Sequence, residues 1–434
     1  VFIGNHLPYT DENTPPAIID SISDEKKSWD NMIGAKKITG NDVEFVIPRV
    51  SWTANTKYKQ YDDVVSFDEL LTGNTSLNVK PMYVMTSGRN VYKCLSNNAS
   101  ANSTVEPSGE YTSSNGNIAT SDGYIWKYMF NVKPSNKFLT NTWIPAPIST
   151  SQIDYGVNQV GVVDGELSTI VVTNTGNNYT NASNVSIVIA GDGSSATAQA
   201  TVNTTSNTIS SIIITERGSG YTYATVSISD LGTGINATAR AIISPFGGHG
   251  SNPLYELGGK NILINSRLRY DEETVLPATN DYRQIALLKD PYLYQSTNVA
   301  SNIAALQATT ATCDGVGNYV EDEFVYQGTS LTNSTFSGRV VSWNSTTSKL
   351  LLINTKGTHT LSQAILGSTS FTTRILTNYQ NGTFEKYSGR LLYVDNIEPI
   401  IRSSDQIENF QVTFEYDNWV VAPGGITAAL ANQG

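Results

Sequence analysis

Thr169-Ile170-Val171-Val172-Thr173, followed by Gly176 and by Tyr179-Thr180, returns 42 positions later as Ser211-Ile212-Ile213-Ile214-Thr215, Gly218 and Tyr221-Thr222. After a one-residue deletion, Val185-Ser186-Ile187 matches Val226-Ser227-Ile228, and Ala196-Thr197-Ala198-Gln199-Ala200 matches Ala237-Thr238-Ala239-Arg240-Ala241. Alternation in the Ala-Thr-Ala segments puts small side chains on one buried face, so each copy reads as three short strands around a Gly-x-x-Tyr-Thr turn. Two copies are too few for a long solenoid and predict a compact β module of paired repeats. Its Gly-rich turns do not precede helices, which speaks against a phosphate-cradling loop.

The chemistry of the repeat pervades the chain. Of 434 residues only 15 % are charged, 34 are Gly and 23 are Tyr, while Asn, Ser and Thr make up about a third. Short polar side chains favour turns and caps over helix interiors, so a mainly β protein of about three globular units is expected. With 27 Lys and Arg against 38 Asp and Glu, the net charge of −11 suits neither phosphate backbones nor anionic lipid, and no nucleic-acid or membrane partner is expected. No apolar run reaches the ~18 residues of a membrane span, and no charged segment followed by an apolar one opens the chain, which reads as soluble. Cys94 and Cys313 belong to no metal-ligand spacing and are expected to be buried, inert thiols.

Residues 20–37 hold the strongest helix pattern. Ser21 and Asp24 have the form of a capping box, Ile22, Trp29, Met32 and Ile33 share a face, and Lys36 and Lys37 suit the negative end of the dipole. Strands are predicted at Phe45–Pro48, Asp63–Phe67, Met82–Met85, Val91–Leu95 and Gly123–Phe130. The Asn/Ser/Gly/Thr stretch 96–123 reads as a long exposed loop, and Pro245–Pro253 as a turn-rich linker. A second small β unit, barrel or sandwich, is predicted around 319–377 from Glu323–Gly328, Gly338–Trp343 and Lys349–Asn354. Further strands are read at Ile262–Ile264, Tyr282–Leu288, Arg390–Val394 and Phe410–Tyr416, with a mobile Gly/Ala-rich tail from Pro423.

Groups that carry chemistry are sparse in the sequence. His6, His249 and His359 each stand alone in a turn-like context, and there is no Gly-x-Ser-x-Gly, His-Glu-x-x-His or P-loop. Glu321, Asp322 and Glu323 could supply a glycosidase carboxylate, or with Asp314 and Asn318 a loose calcium loop, but an acidic cluster beside a strand reads first as a solvated edge. Neither catalytic nor metal-ligating residues are assigned, no cofactor is expected, and structural or binding work is the default.

Trp29-x-x-Met32-x-Gly34-x-x-Lys37 followed by Val46-Ile47-Pro48-Arg49-x-x-Trp52 resembles the N-terminal signature of the baseplate wedge subunit called gene product eight in T-even-type contractile-tailed bacteriophages. Collinear blocks extend the resemblance: Val91–Leu95, Asp122–Phe130, Tyr282–Ile285 with Pro291, and Ser388–Asn396 with Glu398–Ile401, Asp405 and Gln406. Together they cover roughly half of the chain. The two β modules and the C-terminal tail have no counterpart there and are similar instead to small β units of structural proteins in marine and cyanobacterial phages.

The resemblance implies a multi-layer β-sandwich scaffold with a few helices over 1–155, 251–305 and 383–434, carrying inserted β modules at 156–250 and 306–382. It implies no enzyme activity. The expected setting is the virion tail baseplate, assembled in the host cytoplasm, where the subunit forms a homodimer, contacts other wedge subunits and rearranges when the tail contracts. Because interface energy concentrates in Trp, Tyr and Arg, the candidate assembly or scaffold anchors are Trp29, Arg49, Trp52, Tyr124, Trp126 and Arg283, with a carboxylate expected beside Arg49. Aromatic residues at strand spacing are more often core than interface, and that reading stands beside the first. The competing class is a glycan-binding or host-surface-binding β protein of a phage tail that uses Tyr179, Tyr221 and Tyr223 of the repeats.

Overall fold

The computed structural model describes residues 1–109, 117–148, 161–269, 280–403 and 405–415. The chain is mainly β, with many antiparallel sheets and, among the described residues, three short α-helices. It divides into two compact units, Val1–Asp42 with Ser266–Gln411, and Val43–Asn265 with the segment from Val412 onward. The expected scaffold segments are shared between these units, and each unit holds one β module. The tail from Pro423 lies outside the described residues.

In the first unit, five strands lie in the order Ala304–Leu306, Met32–Lys36, Phe2–Gly4, Asp281–Lys289, Arg390–Ile401. The helix before them is shorter than its pattern suggests. Ser21 caps it by accepting from Asp24 N at 3.1 Å, but it ends at Asn31. Met32–Lys36 leaves the helix because pairing with both Phe2–Gly4 and Ala304–Leu306 satisfies its backbone, and Gly34 gives a helix little in return. Trp29 is buried as expected, whereas Ile22 is 74 % exposed and Lys36 and Lys37 cap no helix.

The second predicted β unit is a closed six-stranded barrel, in the order Thr309–Asp314, Lys349–Gly357, Ser334–Asn344, Phe324–Gly328, Ala364–Gly367, Thr373–Gln380. Alternation explains its two apolar faces. Leu350 and Leu352 point into the barrel with Val340, Phe336 and Leu376, while Leu351 and Ile353 pack outward with Ile3, Ile33, Tyr282 and Phe410. The barrel is tied at its neck: Gln307 Oε1 accepts from Phe384 N at 2.8 Å, and Thr383 N donates to Leu306 O at 2.9 Å.

In the second unit, the repeat forms a six-stranded sheet, in the order Val185–Gly191, Ala224–Asp230, Ile235–Ile243, Leu167–Asn177, Thr208–Ser219, Ser194–Asn203. The pairing is pseudo-two-fold. Ile170 faces Ile212 and Ile187 faces Ile228, each opposite its own repeat equivalent. The third strand of each copy pairs with the first strand of the other, Ala200 with Ile212 and Ala241 with Ile170. Neither copy could complete this sheet alone. Gly176 and Gly218, at φ +65° and +66°, leave room for the rings of Tyr179 and Tyr221, which a Cβ would meet at 2.6 and 2.8 Å. The module also closes at its neck, where Ser244 N donates to Glu166 O at 2.8 Å.

Elsewhere in this unit, Tyr83–Met85, Asn90–Ser96, Ile125–Asn131 and Asn117–Ala119 form a four-stranded sheet, and Trp143–Pro145, Val43–Pro48 and Asn261–Arg269 are neighbours in another. Two sequence readings are corrected here. Residues 63–67 are not a strand: Ser66 accepts from Glu69 N at 3.3 Å and starts the helix Phe67–Leu71, leaving Val64 73 % exposed. Nor is 96–123 simply an exposed loop, because Ser103 and Asn117 are buried, and Asp122 binds Ser103 Oγ, Thr104 N, Val105 N and Tyr124 N.

Candidate functional site

Four of the six anchor residues are consumed by the interior. Trp29 packs edge-on against Tyr387 with ring centroids 6.4 Å apart. Tyr124 stacks on Trp126 at 5.4 Å and donates its hydroxyl to Ala101 O at 2.6 Å, while Trp126 meets Tyr58 edge-on at 5.5 Å. Arg283 is buried in an ionic network described below. Trp52 and Arg49 are half-buried. Trp52 Nε1 donates to Ser103 Oγ at 3.2 Å, and Arg49 Nη1 to Thr140 O at 2.7 Å. A carbonyl therefore takes the place of the carboxylate expected beside Arg49, which has no ion-pair partner among the described residues. Trp29, Tyr124 and Trp126 are core residues, as the second reading of the aromatics has it, and Arg283 is buried as well.

The structure instead assembles two polar centres around histidines that look isolated in the sequence. The first lies in the second unit. The segment read as a linker turns sharply, with Gly247, Gly248 and Gly250 at φ +81°, +90° and +90°, and delivers His249 into the interior at 0 % exposure. Asn252 then caps the helix Pro253–Glu256, aiming Glu256 inward. Lys93 Nζ lies 2.9 Å from Glu256 Oε2, 3.0 Å from His249 Nδ1 and 4.1 Å from the centre of the Tyr61 ring. His249 Nε2 is 2.5 Å from Ser168 Oγ. Lys93 and Lys127 face each other on paired strands, both buried, with Glu166 and Arg217 nearby in the same charged network.

This arrangement has the members of a Ser-His-Glu triad but not its polarity. An ammonium group only donates, so Lys93 makes Nδ1 of His249 the acceptor and leaves the proton on Nε2, directed at Ser168 Oγ. A general base would need Nε2 free to take the serine proton. Burial and the Lys93 charge hold the imidazole down at about 3. Burial opposes ionisation of Glu256, but the Lys93 ammonium outweighs it and brings the carboxyl to about 2, and Gly250 N and Asn252 N donate to its Oε1. Burial pushes the Glu166 carboxyl up, with Arg217 and Lys127 opposing. The centre acts as a polar clamp that holds the repeat module's first strand, through Ser168, to the strand carrying Lys93 and the turn carrying His249.

The second centre lies in the first unit. His6 Nδ1 pairs with Asp281 Oδ1, and Nε2 lies 3.6 Å from Asp322 Oδ1. Arg283 Nη1 reaches Asp281 Oδ2 and His6 O, each at 2.6 Å, and its Nε and Nη2 grip Glu12 at 2.9 and 2.8 Å. Burial alone would lower the His6 value, but hydrogen bonding and charge from Asp281, with Asp322 behind, raise it. The acidic run is therefore not a solvated edge. Asp322 faces His6, Glu323 is buried at 4 % exposure and binds the 369–370 turn, and of the three only Glu321 is exposed.

The remaining candidates have plain roles. Asn318 Oδ1 accepts from Trp343 Nε1 at 3.0 Å, and Asp314 Oδ1 from Gly315 N at 2.9 Å. His359 stacks on Tyr379 with ring centroids 3.6 Å apart. Both cysteines are free and buried, and burial pushes the Cys313 thiol up to about 12. Tyr179 and Tyr221 are buried, leaving Tyr223 as the exposed tyrosine of the three. No known protein family matches the chain, and no curated protein does.

Proposed function

We propose that this chain is a structural subunit of a phage tail baseplate wedge, a framework protein that dimerises, joins neighbouring subunits and carries two added β modules. One observation carries the reading: the blocks that resemble the wedge subunit all fall outside the two modules, and blocks far apart in sequence are bonded partners within the sheets. Val91–Leu95 pairs with the strand from Ile125, Cys94 facing Trp126, and Tyr282 and Gln284 face Ile400 and Asn396. Each module leaves and rejoins the framework at adjacent backbone positions, so either can be added without opening a sheet.

A subunit of this kind works through exchangeable contacts. A permanent dimer suits an interface of 2,000 Å² or more, whereas contacts that change on contraction suit smaller, more polar surfaces of the Asn/Ser/Thr type found here. The glycan-binding alternative is weakened, because burial of Tyr179 and Tyr221 removes two of its three aromatic platforms. Light scattering on the full chain tests the proposal: a concentration-independent species near twice 47.0 kDa is expected. A strict monomer that also fails to associate with wedge subunits would overturn it.

A further inference from the structure

The His6 centre joins parts of the first unit that lie far apart in the chain. Asp281 opens a strand of the five-stranded sheet, whereas Asp322 belongs to the turn that enters the barrel strand Phe324–Gly328. The imidazole bridges them. Nδ1 pairs with Asp281 Oδ1 and lies 3.2 Å from Asp281 O, and Nε2 lies 3.6 Å from Asp322 Oδ1. His6 is 5 % exposed, and Asp322 Oδ1 is buried with no hydrogen-bond partner among the described residues. Asp322 sits in the left-handed region at φ +67°, where its N–H donates to Val340 O at 2.9 Å. The next residue of that strand, Val341, packs with Ile3 and Tyr282, so the ionic bridge adjoins the apolar contact between barrel and sheet.

The supply of donors decides what this bridge does. The other charged and titratable groups around it are turned elsewhere. Arg283 Nη1 serves His6 O and Asp281 Oδ2, and its Nε and Nη2 serve Glu12. Tyr9 donates to Arg283 O at 2.7 Å, Glu323 binds the 369–370 turn, and Arg339 stacks over Phe324 at 4.6 Å. His6 is the one ion-pair partner of Asp322 among the described residues. An imidazolium carries a proton on each nitrogen and serves both carboxylates. A neutral imidazole carries one, and the two Asp281 acceptors keep it on Nδ1, so Nε2 turns a lone pair toward a buried carboxylate oxygen. One proton thereby changes the contact between the N-terminal segment and the barrel from attraction to repulsion. We infer that His6 is a proton-operated latch: its imidazolium fastens the turn at Asp322 to the five-stranded sheet, and loss of the proton frees that turn while the neck of the barrel stays closed. The neck bonds, Phe384 N to Gln307 Oε1 and Thr383 N to Leu306 O, involve no titratable group. The inference does not depend on the baseplate reading.

Hydrogen exchange of the full chain, read by mass spectrometry at about pH 6 and about pH 9, follows the turn and the neck separately. After correction for the intrinsic rate, exchange in the segment containing Asp322 should rise about tenfold or more between the two pH values, while the segment containing Thr383 and Phe384 changes less than about twofold. Asp322→Asn is the deciding variant. Asn keeps the left-handed backbone, and its amide accepts from a protonated Nε2 or donates to an unprotonated one. It should therefore hold the turn protected at both pH values. The inference is overturned by equal protection of the turn at both pH values in the original chain, by a rise that persists in Asp322→Asn, or by a rise that the neck shares, which would mark a general loosening of the unit.

Discussion

His6 and His249 are the same side chain beside the same kind of partner, a carboxylate, yet their environments push them in opposite directions. His6 has an aspartate on each ring nitrogen and is held as an imidazolium more firmly than in water. His249 is sealed in, and the group closest to its Nδ1 is not the carboxylate but Lys93, at 3.0 Å against 3.8 Å for Glu256. A single interposed ammonium converts a potential acid–base pair into a fixed neutral hydrogen-bond relay. Having the right residues near one another is therefore not enough to assign chemistry; burial lowers both imidazoles, and the nearest charge overrides that at His6 and adds to it at His249.

The comparison breaks most visibly if Lys93 is removed. Lys93→Met leaves the Glu256 carboxylate buried without its counter-ion, and chemical denaturation should record a loss of about 3–5 kcal/mol, largely recovered in Lys93→Met/Glu256→Leu. If the single variant loses under about 1 kcal/mol, the clamp is not the structural element described.

Acid should act on the same centre next. Because His249 is neutral when folded but binds a proton when unfolded, stability is intact above the unfolded value near 6.5 and falls toward the folded value of about 3, by about 1.4 kcal/mol per pH unit. Glu256, depressed to about 2, adds to the loss below its unfolded value of 4.5. A His249 ring resonance that titrates near 6 by NMR would contradict this. Ser168→Ala removes the acceptor of the His249 Nε2 proton and should cost about 1–3 kcal/mol by thermal melting, the penalty of an unsatisfied buried donor.

His6 carries the opposite sign. Its folded value is raised, so its contribution is complete below the unfolded value near 6.5 and is lost as pH rises through the folded one. The melting temperature of the unit that contains it should decline across that alkaline limb, and His6→Gln should flatten the decline while leaving the acid limb of His249 intact. Smallest of all is Arg49→Ala. Losing one bond to Thr140 O should cost about 0.5–1.5 kcal/mol and leave the light-scattering mass unchanged; a change in mass would return Arg49 to the interface.

Much of the fold is legible in the residues themselves. The repeat predicts its module, Gly turns with alternating strands predict a barrel or sandwich where the barrel stands, and Ser21 starts its helix. The Ser66-x-x-Glu69 cap is equally legible, but the β-branched run Val64-Val65 favours a strand by propensity. The polar clamp left one trace. Lys93 and Lys127 each interrupt an otherwise apolar strand, and two buried ammonium groups require buried carboxylates somewhere. Which carboxylates could not be read, since Glu256 lies 163 residues from Lys93 and Ser168 lies 81 from His249.

By itself, then, the sequence determined the β class and the paired repeat, because these rest on side-chain alternation and turn chemistry within a few residues. Tertiary structure decided the rest. It made Trp29, Tyr124, Trp126 and Arg283 interior residues, turned a presumed linker into the wall of a buried centre, and set two histidines at opposite ends of the charge scale. Burial and electrostatics depend on groups brought within a few ångströms from distant parts of the chain, and local pattern holds no record of that proximity.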